Sequence, residues 1–502
     1  MSALFYPYLC GRIAVEWLIE MNRNWETVIG LEVHVELATR SKIFCACSTE
    51  YSETPNTHCC PICMGLPGTL PVLNAQVLDY AIKAGLVLNC VIEKYTRFDR
   101  KNYFYPDLPK AFQISQLYRP IAHDGYVEID IDGEKKRIRI REMHMEEDAG
   151  KLIHSTVRNE TYPDYNRCGV PLLEIVSEPD FRSPKEVSAY LEKIKMLFSY
   201  LGIADFKMQE GSMRADVNLS IRKAGSEDLG TRTEMKNINS IAAIVRAIES
   251  EASRQIDLLN SGKDVVQETR HWNDDKRFSY AMRSKENAQD YRYFPEPDLP
   301  PVIISDEAIE NAMSALPEFM DAKEKRFVLQ YGLSEGEATM LSSVKKQADL
   351  YEAVVLEGIT PKVASNWFIE HISRIIREEK VEYNDVIVSV AELAKLIAFV
   401  DSGKVNRKEG LSILRQLIKG CGPENVEQYI KEQNLIVSYD TSELLCIINS
   451  VIDDNKEAVL EYYRGKEKVI GFLVGQVMNR TKGKYNPTTV KDTLLQKMNS
   501  IQ

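Results

Sequence analysis

The sequence predicts an α+β domain followed by an all-α region. Two observations carry that reading. As far as about residue 304, segments alternate apolar and polar residues with period two, and helical stretches are inserted between them. From Asp306 onward nearly every segment repeats with helical period. The change follows Pro295-Glu296-Pro297-Asp298-Leu299-Pro300-Pro301, a run suited to neither a helix interior nor a central strand.

The elements follow in order. Residues 1–23 differ in texture from what comes after, and Met21-Asn22-Arg23-Asn24-Trp25-Glu26 resembles a start, so 1–23 is expected to be an extension outside the fold. Alternation predicts strands over Val28 to Leu37, Val127 to Ile131, Lys136 to Met145, Ala215 to Ile221 and Thr231 to Asn237. Asn74 can cap a helix running to Leu88. Ser183-Pro184 opens another through Leu201, and Ser240 opens a long one to Leu259. Beyond Asp306, Gly332, Gly358, Gly403 and Gly420 mark short breaks between helices. The expected domains are therefore 24–305, 306–430 and 431–502. A local echo, Asn102 to Pro109 against Tyr293 to Pro300, reflects shared Pro and aromatic composition and implies no function.

At 502 residues, 44% hydrophobic and 27% charged, the composition is that of a globular chain with room for about three domains. It excludes intrinsic disorder, a collagen-like repeat and a small disulfide scaffold. No run reaches the ~18 apolar residues of a membrane span, so no membrane partner is expected. Net charge is −11, which disfavours adhesion of the whole surface to nucleic acid. From Leu460 to the end the balance reverses, with eight basic residues against three acidic ones. There Arg464, Lys466, Lys468, Arg480, Lys482 and Lys484 interleave with Tyr462, Tyr463 and Tyr485, a pattern open to RNA binding or to a solvated terminal helix.

Cys45, Cys47, Cys59, Cys60 and Cys63 fall within nineteen positions, and the N-terminus lacks the layout of a secretory signal. A reducing, cytoplasmic setting is expected, in which clustered cysteines point to metal rather than to disulfides. The pairs Cys45/Cys47 and Cys60/Cys63 have the spacing of a tetrahedral structural Zn²⁺ site, with Cys59 or His58 open as substitutes for one ligand. Cys-Pro-x-Cys followed by Gly65 favours a tight knuckle whose amides can point at sulfur.

Polar strand faces supply the other chemistry. Glu32, His34 and Glu36 share one face of the first strand; Asp216, Asn218 and Ser220 share another, as do Arg232, Glu234 and Lys236. His144-Met145-Glu146-Glu147-Asp148 is an acid cluster. Glu174 stands inside the apolar run Val170 to Val176, where a carboxylate costs several kcal/mol unless paired or metal-bound. A salt bridge to Arg167 or Arg182 is the plain alternative. Carboxylates with one imidazole and no thiolate suit Mg²⁺ or Mn²⁺, ions that serve phosphoryl transfer. No GxxxxGK[ST] loop occurs, so ATP, if bound, is not held by a P-loop. In Phe98 to Tyr105, basic residues beside three consecutive aromatics could hold phosphate and stack a base, or could pack as an ordinary turn.

Read together, these blocks resemble the GatB family of tRNA-dependent amidotransferases. The matching segments are Glu26 to Leu37, Asp99 to Lys110, His144 to Lys151, Gly169 to Asp180, Gly211 to Ser220, Thr233 to Ser240, Asp290 to Asp298, and Gly471-Phe472-Leu473-Val474-Gly475-Gln476. The resemblance covers essentially everything after residue 24, and the cysteine quartet is similar to the zinc-bearing branch. It implies a glutamine-synthetase-like, antiparallel-sheet catalytic (cradle) domain, a helical domain and a YqeY-like tail. It further implies ATP-dependent phosphorylation of the side-chain carboxylate of misacylated Glu-tRNA(Gln) and/or Asp-tRNA(Asn). Ammonia from a GatA-type amidase, in a heterotrimer completed by a GatC-type small subunit, then gives the amide.

On this resemblance His34, Glu147 and Glu174 match Mg²⁺ ligands, and Glu32, Asp216 and Glu234 match acidic residues of the phosphorylation site. Lys101, Arg214 and Lys236 are the expected ATP-binding residues, and Cys45, Cys47, Cys60 and Cys63 the expected Zn²⁺ ligands. A non-catalytic tRNA-binding scaffold with structural zinc is the competing class, but it leaves Glu174 without a purpose. A free-standing ligase of the glutamine synthetase type would need no RNA, which the basic tail argues against.

Overall fold

The computed structural model describes residues 24–155, 157–206, 212–238, 240–284, 291–436, 441–463, 466, 468–481, 485 and 487–500. Residues 1–23, Arg464, Lys482 and Lys484 lie outside the described residues. The chain divides into two compact units, one ending at Pro317 and the other Glu318–Gln502.

The first unit is built on a nine-stranded sheet. In chain order its strands are β1 Trp25–Glu36, β2 Val91–Ile92, β3 Ala122–Ile131, β4 Glu134–Glu147, β5 Pro171–Ser177, β6 Met213–Lys223, β7 Thr233–Lys236, β8 Glu268–Asn273 and β9 Phe278–Ser284. Across the sheet they run β9-β8-β7-β6-β1-β5-β4-β3-β2. All pairings are antiparallel except β7 with β8. The expected antiparallel sheet thus carries one parallel pairing, made where the helix Ile241–Asn260 returns the chain to β7.

Alternation gives this sheet two unlike faces. Val33, Val35, Leu173, Ile175, Met143, Met145, Val217 and Leu219 form the buried one. Three helices lie in this layer: α1 Ala75–Val87, α2 Pro184–Leu201 and α3 Ile241–Asn260. Their starts match local chemistry. Asn74, Ser183 and Ser240 each accept a hydrogen bond from a first-turn amide, and Pro184 needs no amide partner there. A fourth helix, α4 Asp306–Ser314, packs on α1. The first unit therefore ends after Pro317 rather than at 305. The two echoed Pro/aromatic segments adjoin, since Phe294–Pro295 pairs with Asp99–Asn102 in a small three-stranded sheet.

In the second unit the described residues outside loops are helical, apart from a single bridge of Val405 to Ile436. Gly332, Gly358, Gly403 and Gly420 take positive φ where helices end. Two separate apolar cores form, one from Phe327 to Ile430 and one from Leu444 to Met498.

Candidate active site and metal centre

The polar face of the sheet is the candidate active site, and register places its residues. His34 lies opposite Glu174 on β5 and Arg214 on β6, and Glu174 lies opposite His144 on β4. Glu32 pairs with Asp216, and Asn218 with Glu234. One run of alternate residues across β4, β5, β1, β6 and β7 therefore carries a continuous charged surface.

Two triads stand on it. Ligand atoms of His34, Glu146 and Glu174 lie within 4.8 Å of one another, as do those of Glu32, Asp216 and Glu234. His34 Nδ1 is 3.1 Å from Glu146 Oε1, and His144 Nδ1 is 3.6 Å from Glu174 Oε2. Asn218 Nδ2 donates to Glu32 at 2.9 Å. Lys236 Nζ reaches Asp216 at 2.6 Å and Glu234 at 2.9 Å. Lys101 rests over the rings of Tyr291 and Tyr103, 5.2 and 5.9 Å from their centroids.

The first triad differs from the expected metal set in one residue. Glu146, not Glu147, is brought to His34 and Glu174. Adjacent strand residues point to opposite faces, and Glu146 shares the phase of His144. Glu147 turns instead to Lys110 Nζ and to the Ile114 amide, 2.8 Å away. The signal was present, since Met143 and Met145 mark the apolar phase of β4 and leave 142, 144 and 146 together. The alternative pairing of Glu174 is also corrected: Arg167 binds Asp148, and Arg182 binds Glu26. Arg214 faces this surface but donates to Asp148 at 2.8 Å.

Burial and charge set the protonation of these groups. Burial opposes the charged form of Glu174, but contact with His144 and the charges of His34 and Lys101 hold its carboxyl well below the usual range. Burial likewise opposes charge on His34, yet the Glu146 contact and the surrounding carboxylates raise it to about 9. His144 is raised to about 10 against its burial by Glu142 and Glu174. Burial and Glu174 push the Glu32 carboxyl upward. Glu36, on the same face and absent from the expected set, is raised to about 7 by burial and by Asp148. The donor set of the first triad, one imidazole and two carboxylates, fits a hard divalent cation.

The cysteine knuckle lies between β1 and α1 in the chain. Sγ atoms of Cys45, Cys47, Cys60 and Cys63 all lie within 4.8 Å of one another. Cys60 and Cys63 sulfurs are 3.9 Å apart, close to the ~3.8 Å edge of a tetrahedron with 2.3 Å zinc–sulfur bonds. The Cys60 amide donates to Cys63 Sγ at 3.1 Å, and Gly65 takes φ +65° at the end of the turn. Cys59 and His58, the open substitutes, point elsewhere: Cys59 Sγ donates to Asn56 O, and His58 Nδ1 meets Glu50 O. The Cys63 thiol is depressed to about 5 by the Cys45 hydrogen bond, against burial and with the Cys60 amide and Lys42. Burial and Cys60 raise Cys47 to about 11. Four converging thiols that suit one divalent ion are an ordinary fit for zinc.

In the terminal core the tyrosines pack rather than project. Tyr485 is 2% exposed and donates to Glu443, while Tyr463 donates to Met498 O. The expected interleaving of aromatic and basic groups is therefore not an exposed stacking platform. Arg480 pairs with Asp454 at 2.7 Å, and Lys466 with Glu461 at 2.8 Å.

The GatB/GatE catalytic domain family matches residues 27–310, and the GatB domain family matches residues 349–498. The chain belongs to the GatB family. The B subunit of the aspartyl/glutamyl-tRNA(Asn/Gln) amidotransferase of Lachnoclostridium phytofermentans is 53% identical over 94% of this chain and 98% of its own length. Its counterpart in Agathobacter rectalis is 52% identical over 94% and 99%. That of Caldicellulosiruptor bescii is 50% identical over 95% and 100%. The GatB/GatE match spans the sheet from Thr27 onward, with its two triads and the four-cysteine knuckle, and the GatB domain match falls in the helical unit. The α+β domain followed by helices is thus the architecture of a GatB chain. Among the described residues no helix is long and apolar enough to cross a membrane.

Proposed function

We propose that this chain uses ATP to activate the side-chain carboxylate of Glu-tRNA(Gln) and/or Asp-tRNA(Asn), then converts it to the amide. The observation that carries this reading is the pair of acidic triads on one polar sheet face, with Lys101 and Lys236 beside them. A substrate carboxylate oxygen attacks the γ-phosphorus, and ADP leaves. Ammonia then adds to the acyl carbon, phosphate departs, and a proton passes to a protein carboxylate. Hydroxide is too poor a leaving group for the unactivated acid, so phosphorylation supplies a better one.

The residues divide the work. His34, Glu146 and Glu174 would hold Mg²⁺, which supplies neutralisation of phosphate charge. Lys101 and Lys236, held in the ammonium form by neighbouring carboxylates against burial, face the anionic substrates. Arg214 orients Asp148 and so borders the site. Glu32, whose carboxyl is raised by burial, is the best-suited proton acceptor of the second triad, with Asp216 and Glu234 fixing Lys236. Cys45, Cys47, Cys60 and Cys63 would hold a structural Zn²⁺.

The relatives are each named as one subunit of an amidotransferase, which supports a multi-subunit enzyme. We assign a GatA-type amidase as the ammonia source, with a GatC-type small subunit, and a cytoplasmic setting in keeping with free thiols. The first unit, as far as Pro317, serves as the catalytic domain, 318–430 as the helical domain, and 431–502 as the tRNA-binding tail.

The test is Glu-tRNA-dependent ADP release by the assembled enzyme. Glu174→Gln and His34→Ala should each lower it by roughly 10²-fold, the scale of losing a preorganised electrostatic contact, while the variants keep the wild-type circular dichroism. Undiminished ADP release in either variant rejects the assignment.

A further inference from the structure

Lys42 stands beside the cysteine knuckle and is wholly buried, with 0% exposure. Its Nζ donates to His58 O at 2.7 Å and Tyr165 O at 3.3 Å, and lies 3.7 Å from Cys63 Sγ. The cavity it lines also contains Lys110 and Arg100, and both have carboxylate partners: Glu147 for the first, Glu296 and Asp298 for the second. Among the described residues Lys42 forms no ion pair with a carboxylate within 4.0 Å. A buried ammonium served only by carbonyl dipoles is costly, and an anion close by is the ordinary remedy. Cys63 sulfur is the anionic group its Nζ reaches.

A divalent cation held by four thiolates carries a net double negative charge inside the protein. Hydrogen bonds to sulfur and a nearby cation offset that charge, and such outer interactions set how tightly a metal is kept. The Cys60 amide supplies one donor to Cys63. Lys42 supplies the cation. Its stem also lies against Gly169, whose carbonyl accepts from the Ile43 amide, so the same residue joins the knuckle to the loop leading into β5.

We propose that Lys42 is a positioning residue of the four-thiolate centre, supplying the buried positive charge that keeps zinc bound. This rests on the reading of Cys45, Cys47, Cys60 and Cys63 as zinc ligands. The two ideas fail differently. Full-length protein purified without chelator should contain about one zinc per chain; a wild-type chain without zinc overturns the ligand reading and this one with it.

With zinc present, its loss to excess chelator is followed by a colorimetric indicator. Lys42→Gln keeps hydrogen-bond donors for the two carbonyls but no charge, and should release zinc about 10–100-fold faster than wild type. Lys42→Arg retains the charge and should stay within about threefold of wild type, well short of that outer-shell effect. Release from Lys42→Gln at the wild-type rate overturns the proposal, and so does equal acceleration in both variants, which would assign packing rather than charge. Cobalt-loaded protein gives a second readout. Removing the ammonium raises the sulfur orbitals, so the thiolate-to-cobalt band of Lys42→Gln should move to longer wavelength, and an unmoved band overturns the idea. Should Lys42→Gln not fold, Lys42→Met, which keeps the stem against Gly169, takes its place in the same comparisons.

Discussion

Glu146 and Glu147 are neighbours in the chain with different surroundings. Glu146 meets His34 and accepts from Ser115 Oγ at 3.3 Å, whereas Glu147 is tied to Lys110 and the Ile114 amide. Glu146→Gln should therefore lower tRNA-dependent ADP release by roughly 10²-fold and raise the Mg²⁺ concentration giving half-maximal rate. Glu147→Gln should leave that Mg²⁺ requirement close to wild type. A magnesium titration of the two variants decides it, and a larger shift in Glu147→Gln sinks the assignment. The same pair shows where sequence reading stops. Residue types were legible: the acid run at 144–148, Glu174 in an apolar strand, His34 between two glutamates. Which member of an acid run faces the site depends on strand phase and on register with β5, and a one-residue error in phase moves a side chain to the other face.

Secondary structure was most legible where its signal is local. Asn74, Ser183 and Ser240 begin helices because a side-chain oxygen satisfies an amide that the helix itself cannot. β8 and β9 carry no comparable signal. β8, with Arg270, His271 and Asn273, forms a strand because β7 offers a parallel edge to pair with, and β9 then pairs antiparallel with β8. The helix Glu335–Ser342 offers a test of the local kind. Ser334 and Glu337 cap each other reciprocally, and Glu337 also pairs with Lys362. Ser334→Ala should cost about 1 kcal/mol, seen as roughly fivefold faster hydrogen exchange of the 335–342 amides at neutral pH. Glu337 is held down to about 2 from an ordinary 4.5, first by Lys362 and then by Ser334. A depressed carboxyl stabilises the folded state above its unfolded value, so this contribution is complete above 4.5 and lost as pH falls toward 2. The Tm difference between wild type and Glu337→Gln should shrink over that window; a difference that grows on acidification contradicts the pairing.

Over the whole molecule, charge is unevenly placed: net −11 for the chain, yet eight basic against three acidic residues from Leu460 onward. On the proposed function, tRNA is held where basic residues concentrate, and each phosphate that is neutralised releases counterions. The terminal core also shows which of those residues to change. Arg480 bonds Asp454 and Ser450, joining helix Val469–Arg480 to helix Thr441–Asp454, so replacing it would loosen packing as well as remove charge. Lys468 has no carboxylate partner among the described residues and is the better choice, together with Lys482 and Lys484. The triple variant Lys468→Ala, Lys482→Ala, Lys484→Ala should weaken tRNA binding at low salt. It should also reduce the slope of log affinity against log salt by about one unit for each phosphate no longer neutralised. Glutamine hydrolysis in the assembled enzyme should be unaffected, and the ATP site should remain formed, since its triads end at Glu234. Filter binding of charged tRNA at several salt concentrations gives both affinity and slope. If neither changes in the triple variant, the tail's basic residues do not touch the RNA and its role is confined to packing.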